Sequence, residues 1–577
     1  NQFLYAMYRS GNAHRILPLW EEMKNHYNIP SDSKTYHIVL KVLAESSKPN
    51  SPRQASQILT TLIENKKKNF TRSYSGGNAS NHNDDDVDDM QEGPRVEPTG
   101  QHYASVIIAW SKSLDPNAAD YALEIFNQLV HDYRTEQREN EKFRLKPYSI
   151  HYNALLLALG RNSSRHNNTN GHDSKSRVIE VFEQMKQDEE MKDELDVIAY
   201  GTVMDALSKM KNSPKAAYMA QSLLDELEAK WEQHCSSADT HTGDTDNYRK
   251  NNHHRLQPTA HCYGSCIFAW ARSGMYDAPE KAEAIFQRLL VAYEKSNRDK
   301  SLCPNEIIYN GLIDAWAKSN RPEAGLEADR ILSHMEQQHA LDEAAFAPPN
   351  HIVYTTAILA HVKGAQGRII KNKTKQIHDR QDNDYCCAER AESIFDRMCD
   401  SYYKDGNMAS KPTHYAATSV IQAWGRSNRP DQASRAFDVL QMMNKAYYTD
   451  GDLEMKPTIL TYTAVLNACV FSPTSTNSSH TTPNNNGQVD NSNNSKNVVH
   501  IALRVMNELL ELDDDDVKPN HITFQTLLRV LANQMKDKTE LYRMGSIIFQ
   551  KCCDEGQVHP FVLETLGNSI PELYSKL

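Results

Sequence analysis

The chain has 577 residues, of which 39% are hydrophobic and 24% charged; 64 Lys and Arg against 75 Asp and Glu give a formal net charge of −11. That balance excludes a uniformly basic nucleic-acid coat, although not a local basic stripe. The longest wholly apolar runs, such as 154–159, fall far short of the ~18–20 residues that a membrane span requires, so a soluble chain without membrane contact is expected.

The dominant feature along the chain is self-similarity. Segments beginning at Tyr103 (YASVIIAWSKS), Tyr263 (YGSCIFAWARS), Tyr309 (YNGLIDAWAKS) and Ala417 (ATSVIQAWGRS) align, and the same register recurs from Tyr36, Tyr152, Tyr200, Tyr354, Tyr462 and Phe524. In chain order this predicts a truncated repeat (1–32), a repeat with an acidic insert (33–99), and repeats at 100–148 and 149–196. A repeat with an insert (197–259) follows, then repeats at 260–305 and 306–350, one with an insert (351–413), one at 414–458, another with an insert (459–520), a last repeat (521–561) and a terminal helix (562–577). Anchor spacing runs from 45 to 67 residues, and the longer spacings contain the inserts 66–95, 162–175, 233–257, 371–385 and 472–496. These are rich in Asn, Ser, Asp, His and Gly and cannot repay the entropy of ordering, so disordered loops are expected there. Residues 84–92 and 513–516 contain ten acids, so the remainder of the chain is close to neutral.

Within a repeat, Tyr309, Leu312, Ile313 and Trp316 lie at i, i+3, i+4 and i+7, one face of a helix. A break containing Pro follows, as at Asn320–Pro322, Asn428–Pro430 and Ser213-Pro214, and then a second apolar period such as Ala282, Ile285, Phe286 and Leu289. Pro suits a first helical turn, where its missing N–H has no partner to lose. Each unit therefore reads as a helix-turn-helix. The sixth residue after the anchor is Ala in nine of eleven units, which predicts close approach of stacked helices. A single pair cannot bury its apolar face alone, so each unit depends on its neighbours.

The unit Y-N-x-L-I-x-A-W-A-K-S, the Pro break, the second helix and a closing Pro five residues before the next anchor (Pro98, Pro147, Pro258, Pro304, Pro349, Pro412, Pro457, Pro519) resemble the pentatricopeptide repeat over nearly the whole chain outside the inserts. The resemblance implies an all-α fold, a right-handed α-solenoid of about eleven helix-turn-helix repeats. It also implies sequence-selective binding of single-stranded RNA in a mitochondrion or plastid, in RNA processing, stability or translation, with RNA-processing or ribosomal proteins as further partners. The ninth residue after the anchor is basic in eight units: Arg9, Lys112, Arg161, Lys209, Arg272, Lys318, Lys363 and Arg426. By resemblance these touch RNA phosphates; as plain helix chemistry, a cation near a helix C-terminus complements the macrodipole and the last carbonyls. Base reading in the family uses the residue after the anchor and the residue four before the next. Asn1 with Asp32 and Asn153 with Asp196 match pairs that prefer uracil, Asn310 with Asn350 a pyrimidine pair, and Thr463 with Asn520 an adenine pair. Asn and Asp are also common at turns and helix starts. The remaining pairs depart from the pattern: Ala104 and Gly201 offer no directional side-chain hydrogen bond.

Catalytic chemistry is not expected. The sequence has no phosphate loop, no G-x-S-x-G elbow and no H-E-x-x-H helix, and some 16 residues after Phe561 are too few for the catalytic tails that some members of the family carry. Asp84, Asp86 and Asp88 have calcium-loop spacing, but Asp89 replaces the required Gly and Arg95 the bidentate Glu, so a solvated acidic loop is expected. Ten scattered cysteines without C-x-x-C predict reduced intracellular thiols and no metal; no cofactor is expected. The chain opens with Asn1, directly in a helical pattern, so its natural start is expected to lie upstream. The competing expectation is a protein-interaction solenoid of the tetratricopeptide type, against which stands the lack of W-x-x-L-G-x-x-Y. A component of an organellar ribonucleoprotein is a third.

Overall fold

A computed structural model describes residues 2–10, 13–27, 29–46, 48–75, 96–138, 145–162, 171–187, 195–238, 256–374, 387–473, 491–512 and 514–576. Regular structure among them is entirely helical. In chain order the helices are α1 (Gln2–Arg9), α2 (Ile16–Asn25), α3 (Ser33–Glu45), α4 (Ser51–Ser75), α5 (Gly100–Lys112), α6 (Ala118–Arg138), α7 (Ser149–Asn162) and α8 (Gly171–Gln187). Next come α9 (Val197–Ser208), α10 (Pro214–Ala238), α11 (Ala260–Ala271), α12 (Ala278–Lys295), α13 (Glu306–Ser319), α14 (Ala324–Leu341), α15 (His351–Thr374) and α16 (Cys387–Tyr403). The last are α17 (His414–Trp424), α18 (Gln432–Asn444), α19 (Ile459–Val470), α20 (Asn491–Glu511), α21 (His521–Gln534), α22 (Lys538–Asp554), α23 (Pro560–Ser569) and α24 (Pro571–Tyr574).

The chain divides into two compact units, Asn1–Ala269 and Trp270–Leu577. Within the first, α3 packs on α5, α5 on α7 and α7 on α9, and α4, α6 and α8 each lie against their own first helix and the next one. Within the second, the run α13, α15, α17, α19, α21, α23 packs in sequence, and α14, α16, α18 and α20 bridge in the same way. The anchors explain this order. Tyr103, Tyr200, Tyr309, Tyr354, Tyr462 and Phe524 are buried, each ring contributing roughly 2–3 kcal/mol by leaving water. A buried phenol must keep a hydrogen-bond partner, and a second helix supplies it: Asp132 for Tyr103, Glu226 for Tyr200, His334 for Tyr309, Glu336 for Tyr354 and Asn444 for Tyr462. The sixth-position alanines 109, 158, 206, 315, 360, 423 and 468 are buried, as close helix approach requires; Ala6 is exposed.

The recurring tryptophans are core residues whose indole N–H groups find partners within the protein. Trp110, Trp316 and Trp424 are buried, and their indole N–H groups donate to Ser56, Glu283 and Glu392 on the preceding second helices. The breaks between helices use left-handed Asn: Asn212, Asn320 and Asn428 have φ of 52°, 51° and 55°, a conformation that Asn tolerates and β-branched residues do not.

Two expectations need correction. Helices run into several inserts: α4 continues to Ser75, α10 to Ala238 and α15 to Thr374, while α8 begins at Gly171 and α20 at Asn491. Once a helix is nucleated each added residue gains a hydrogen bond, so polar sequence extends it readily. The other parts of the inserts, with the acidic run 84–92, lie outside the described residues. The single terminal helix expected over 562–577 is instead two short helices starting at Pro560 and Pro571. Ile570, at φ −138° and ψ 68°, is held out of the helical region by the proline after it.

Candidate nucleic-acid interface

The expected base readers that close each repeat sit at helix N-caps. Asp32, Asp196, Asn350 and Asn520 accept from the backbone N–H of Thr35, Ala199, Val353 and Thr523 at 2.8–3.1 Å. Each satisfies an amide that would otherwise lack a partner. Burial pushes the Asp32 carboxyl up, but the Thr35 hydroxyl and N–H outweigh it and hold it below its ordinary value. Non-matching repeats use the same position in the same way, through Asn305, Thr413 and Thr458.

The residues following the anchors differ from repeat to repeat. Asn153 and Asp196 are brought together: the Asn153 amide donates to both carboxylate oxygens at 3.2 and 3.1 Å, and Asn153 Oδ1 is a buried acceptor with no hydrogen-bond donor. Asn310 Oδ1 accepts instead from the Thr356 hydroxyl at 2.8 Å. Thr463 donates to the Ile459 carbonyl of its own helix at 2.7 Å, and Thr418, nearly buried, bonds Thr461 at 2.8 Å. Gly201 leaves a gap that the imidazole of His261 approaches; a Cβ there would lie 3.3 Å from His261 Cδ2. Asn1 lies outside the described residues.

The ninth-position side chains divide by partner. Lys112 Nζ donates to the Ala44 carbonyl at 3.0 Å, and Arg426 Nη1 to the Val362 carbonyl at 3.1 Å. Both carbonyls lie eight residues after the anchor of the preceding repeat. Asn533, a ninth-position residue without charge, makes the same bond to the Val470 carbonyl at 3.2 Å. These three side chains staple a first helix to the end of the one before it. Lys209 and Lys318 instead pair with Asp205 and Asp314 one turn earlier. The Arg9 guanidinium lies over the Tyr5 ring at 6.0 Å. Arg272 and Lys363 are half-buried at the corresponding places, and the Arg161 side chain lies outside the described residues.

A second row was not singled out in the sequence. Two residues before the anchor, at the second position of successive first helices, stand Ile150, Ile198, Ile307, Ile352, Tyr415, Leu460 and Ile522, each between 47% and 70% exposed. Phe561, at 55%, continues the row at the start of α23. Helix N-termini are ordinarily polar, yet a large apolar side chain is left about half exposed there in repeat after repeat. The column is visible in S-I-H-Y, V-I-A-Y, E-I-I-Y, H-I-V-Y, I-L-T-Y and H-I-T-F, once alternation with the buried anchor is recognised. Lys34, Gln101 and His261 occupy it in the other repeats.

Among the described residues no group of three or more His, Cys, Asp or Glu could hold a metal ion, and no helix is long and apolar enough to cross a membrane. Cys262 and Cys266 are fully buried; burial pushes the Cys262 thiol up, the reverse of what a reactive thiolate needs. No protein-family model matches the chain, and no curated protein matches it.

Proposed function

We propose that the chain is a right-handed α-solenoid of about eleven repeats that binds single-stranded RNA along its first helices, one nucleotide per repeat. The observation that carries this reading is the exposed apolar residue two before the anchor, at Ile150 and Ile198 in the first unit and at Ile307, Ile352, Tyr415, Leu460 and Ile522 in the second, with a polar residue directly after the anchor in all of these repeats but that of Gly201. An unpaired base has two apolar faces and a hydrogen-bonding edge. Its faces pack between consecutive apolar side chains while its edge meets an amide, hydroxyl or carboxylate. Duplex RNA hides both, which makes the surface selective for single strands. Asn153 and Asp196, which the structure brings together, are the pair this reading assigns first to a base edge, and Asn153 Oδ1, buried without a donor, has to be uncovered for it. Ninth-position cations supply phosphate contacts where they are not tied to the protein itself.

By resemblance to the pentatricopeptide repeat, the role is non-catalytic binding to transcripts of a mitochondrion or plastid, in RNA processing, stability or translation, with RNA-processing or ribosomal proteins recruited. A protein-binding scaffold is the second reading. It is favoured by the engagement of Lys112 and Arg426 with backbone carbonyls, which leaves the apolar row as the main attraction. Binding of the chain to labelled single-stranded and double-stranded RNA pools separates the two. The RNA reading predicts single-strand affinity that falls as salt rises; no affinity for either pool at low salt favours the scaffold.

A further inference from the structure

The residue five after the anchor shares a helix face with the ninth, one turn away. At this position stand Lys41, Ile108, Asp205, Phe268, Asp314, Leu359, Gln422, Asn467 and Arg529 in their repeats. Asp occurs there in the Tyr200 and Tyr309 repeats alone, and in those two repeats the ninth-position lysine turns onto it: Lys209 bonds Asp205 at 2.7 Å, and Lys318 bonds Asp314. Where position five is uncharged, as at Ile108 and Gln422, the cation reaches the preceding helix. The opposite substitution occurs in the Phe524 repeat. Its ninth residue is Asn533, committed to the Val470 carbonyl, while Arg529 at position five is exposed and lies over Phe471, the ninth residue of the preceding repeat, at 5.9 Å. The Tyr36 repeat places Lys41 before Glu45 and is neutral in sum; Lys41 lies over the Tyr8 ring at 5.0 Å, and Glu45 accepts from the Tyr8 hydroxyl.

We propose that position five sets how strongly each repeat holds the phosphate chain: Asp205 and Asp314 are resident competitors for Lys209 and Lys318, and Arg529 supplies the cation its repeat lacks at position nine. This rests on the RNA-binding reading and specifies where its electrostatics reside. Both are i,i+4 ion pairs that solvent still reaches, and such pairs are weak, so a phosphate can displace either carboxylate. Until it does, each pair presents no net charge and adds no sequence-blind attraction at its repeat.

The test is the salt dependence of binding to a randomised single-stranded RNA, from 50 to 200 mM KCl, with the melting temperature of each variant measured alongside. On single strands each phosphate contact contributes about −0.7 to the log–log slope, about a threefold change in affinity over that range. The double variant Asp205→Asn/Asp314→Asn is expected to bind more tightly at 50 mM and to steepen the slope by about 1.4. Arg529→Gln is expected to flatten it by about 0.7, and Asn533→Ala to leave it unchanged. A double variant with wild-type affinity and slope, or an Arg529→Gln slope equal to wild type, overturns the proposal while wild-type binding leaves the RNA reading intact. Failure of the wild-type chain to bind overturns the RNA reading itself.

Discussion

Two buried histidines give the molecule a pH dependence that belongs to single residues. His102 and His151 are 0% and 2% exposed and occupy equivalent sites. Nδ1 accepts from the backbone N–H of Thr99 or Tyr148, and Nε2 donates to the carbonyl of Ser33 or Gly100 in the preceding repeat. At His102 these partners favour the neutral tautomer with its proton on Nε2, since a proton on Nδ1 would face an N–H; at His151 Nδ1 also lies 3.3 Å from the Tyr148 carbonyl. Burial pulls both below their ordinary value of 6.5. The folded state therefore resists a proton that the unfolded state accepts. The associated stability is complete above pH 6.5 and is lost as pH falls, by up to ~1.4 kcal/mol per pH unit for each residue, until the folded-state value is reached. Urea melts at pH 7.0 and 5.5 are expected to show the loss in wild type and a smaller one in His102→Gln/His151→Gln; equal losses would contradict this. Glu226 acts lower on the scale: burial raises its carboxyl, but hydrogen bonds from Lys186, Tyr200 and Lys230 prevail and hold it at about 2. Its contribution is present above its ordinary 4.5 and fades as pH falls towards 2.

Between helices, α14 meets α15 at an exacting contact. His361 takes the place that Trp holds in the Tyr103, Tyr263, Tyr309 and Ala417 repeats, is fully buried, and lies against Gly325; a Cβ on Gly325 would come within 2.4 Å of its Nδ1. Gly325→Ala is thus expected to lower stability by about 1–3 kcal/mol through overpacking. Gly545→Ala meets only the tip of Ile570, at 2.2 Å from Cδ1, which can rotate, so a smaller loss is expected; calorimetric melting of both variants checks the order. Removing the α15 cap by Asn350→Ala should cost about 1 kcal/mol. The helix pairs, their buried anchors and the close-packed alanines were legible in the sequence because a 3.6-residue period and a repeated register report burial directly. The course of α4, α10 and α15 into polar inserts was not, since helix propagation needs no apolar pattern. Nor was the stapling by Lys112, Arg426 and Asn533 legible as such: a cation in register looks alike whether it meets a phosphate or a carbonyl.

At the scale of the molecule, charge is distributed unevenly along the chain. A net charge of −11 speaks against RNA, yet ten of the acids lie in 84–92 and 513–516. Acid–base pairs such as Lys66–Glu136, Lys186–Glu226, Arg330–Glu283, Arg397–Glu336 and Arg435–Glu392 join second helices of different repeats. Charge is thereby spent between the second helices, while the first helices expose Ile150, Ile198, Ile307, Ile352, Leu460 and Ile522. Replacing Ile307 and Ile352 together by Asp places carboxylates where bases and phosphates would lie. This is expected to weaken single-stranded RNA binding at least tenfold, with melting shifted little because both residues are already about half exposed. Most direct is photochemical crosslinking of the chain to a 4-thiouridine-substituted single-stranded RNA, followed by identification of the modified peptides. Crosslinks are predicted in the peptides that begin the first helices, around Ile198, Ile307, Ile352, Leu460 and Ile522. Crosslinks confined to the second helices, or none at all, would contradict the account.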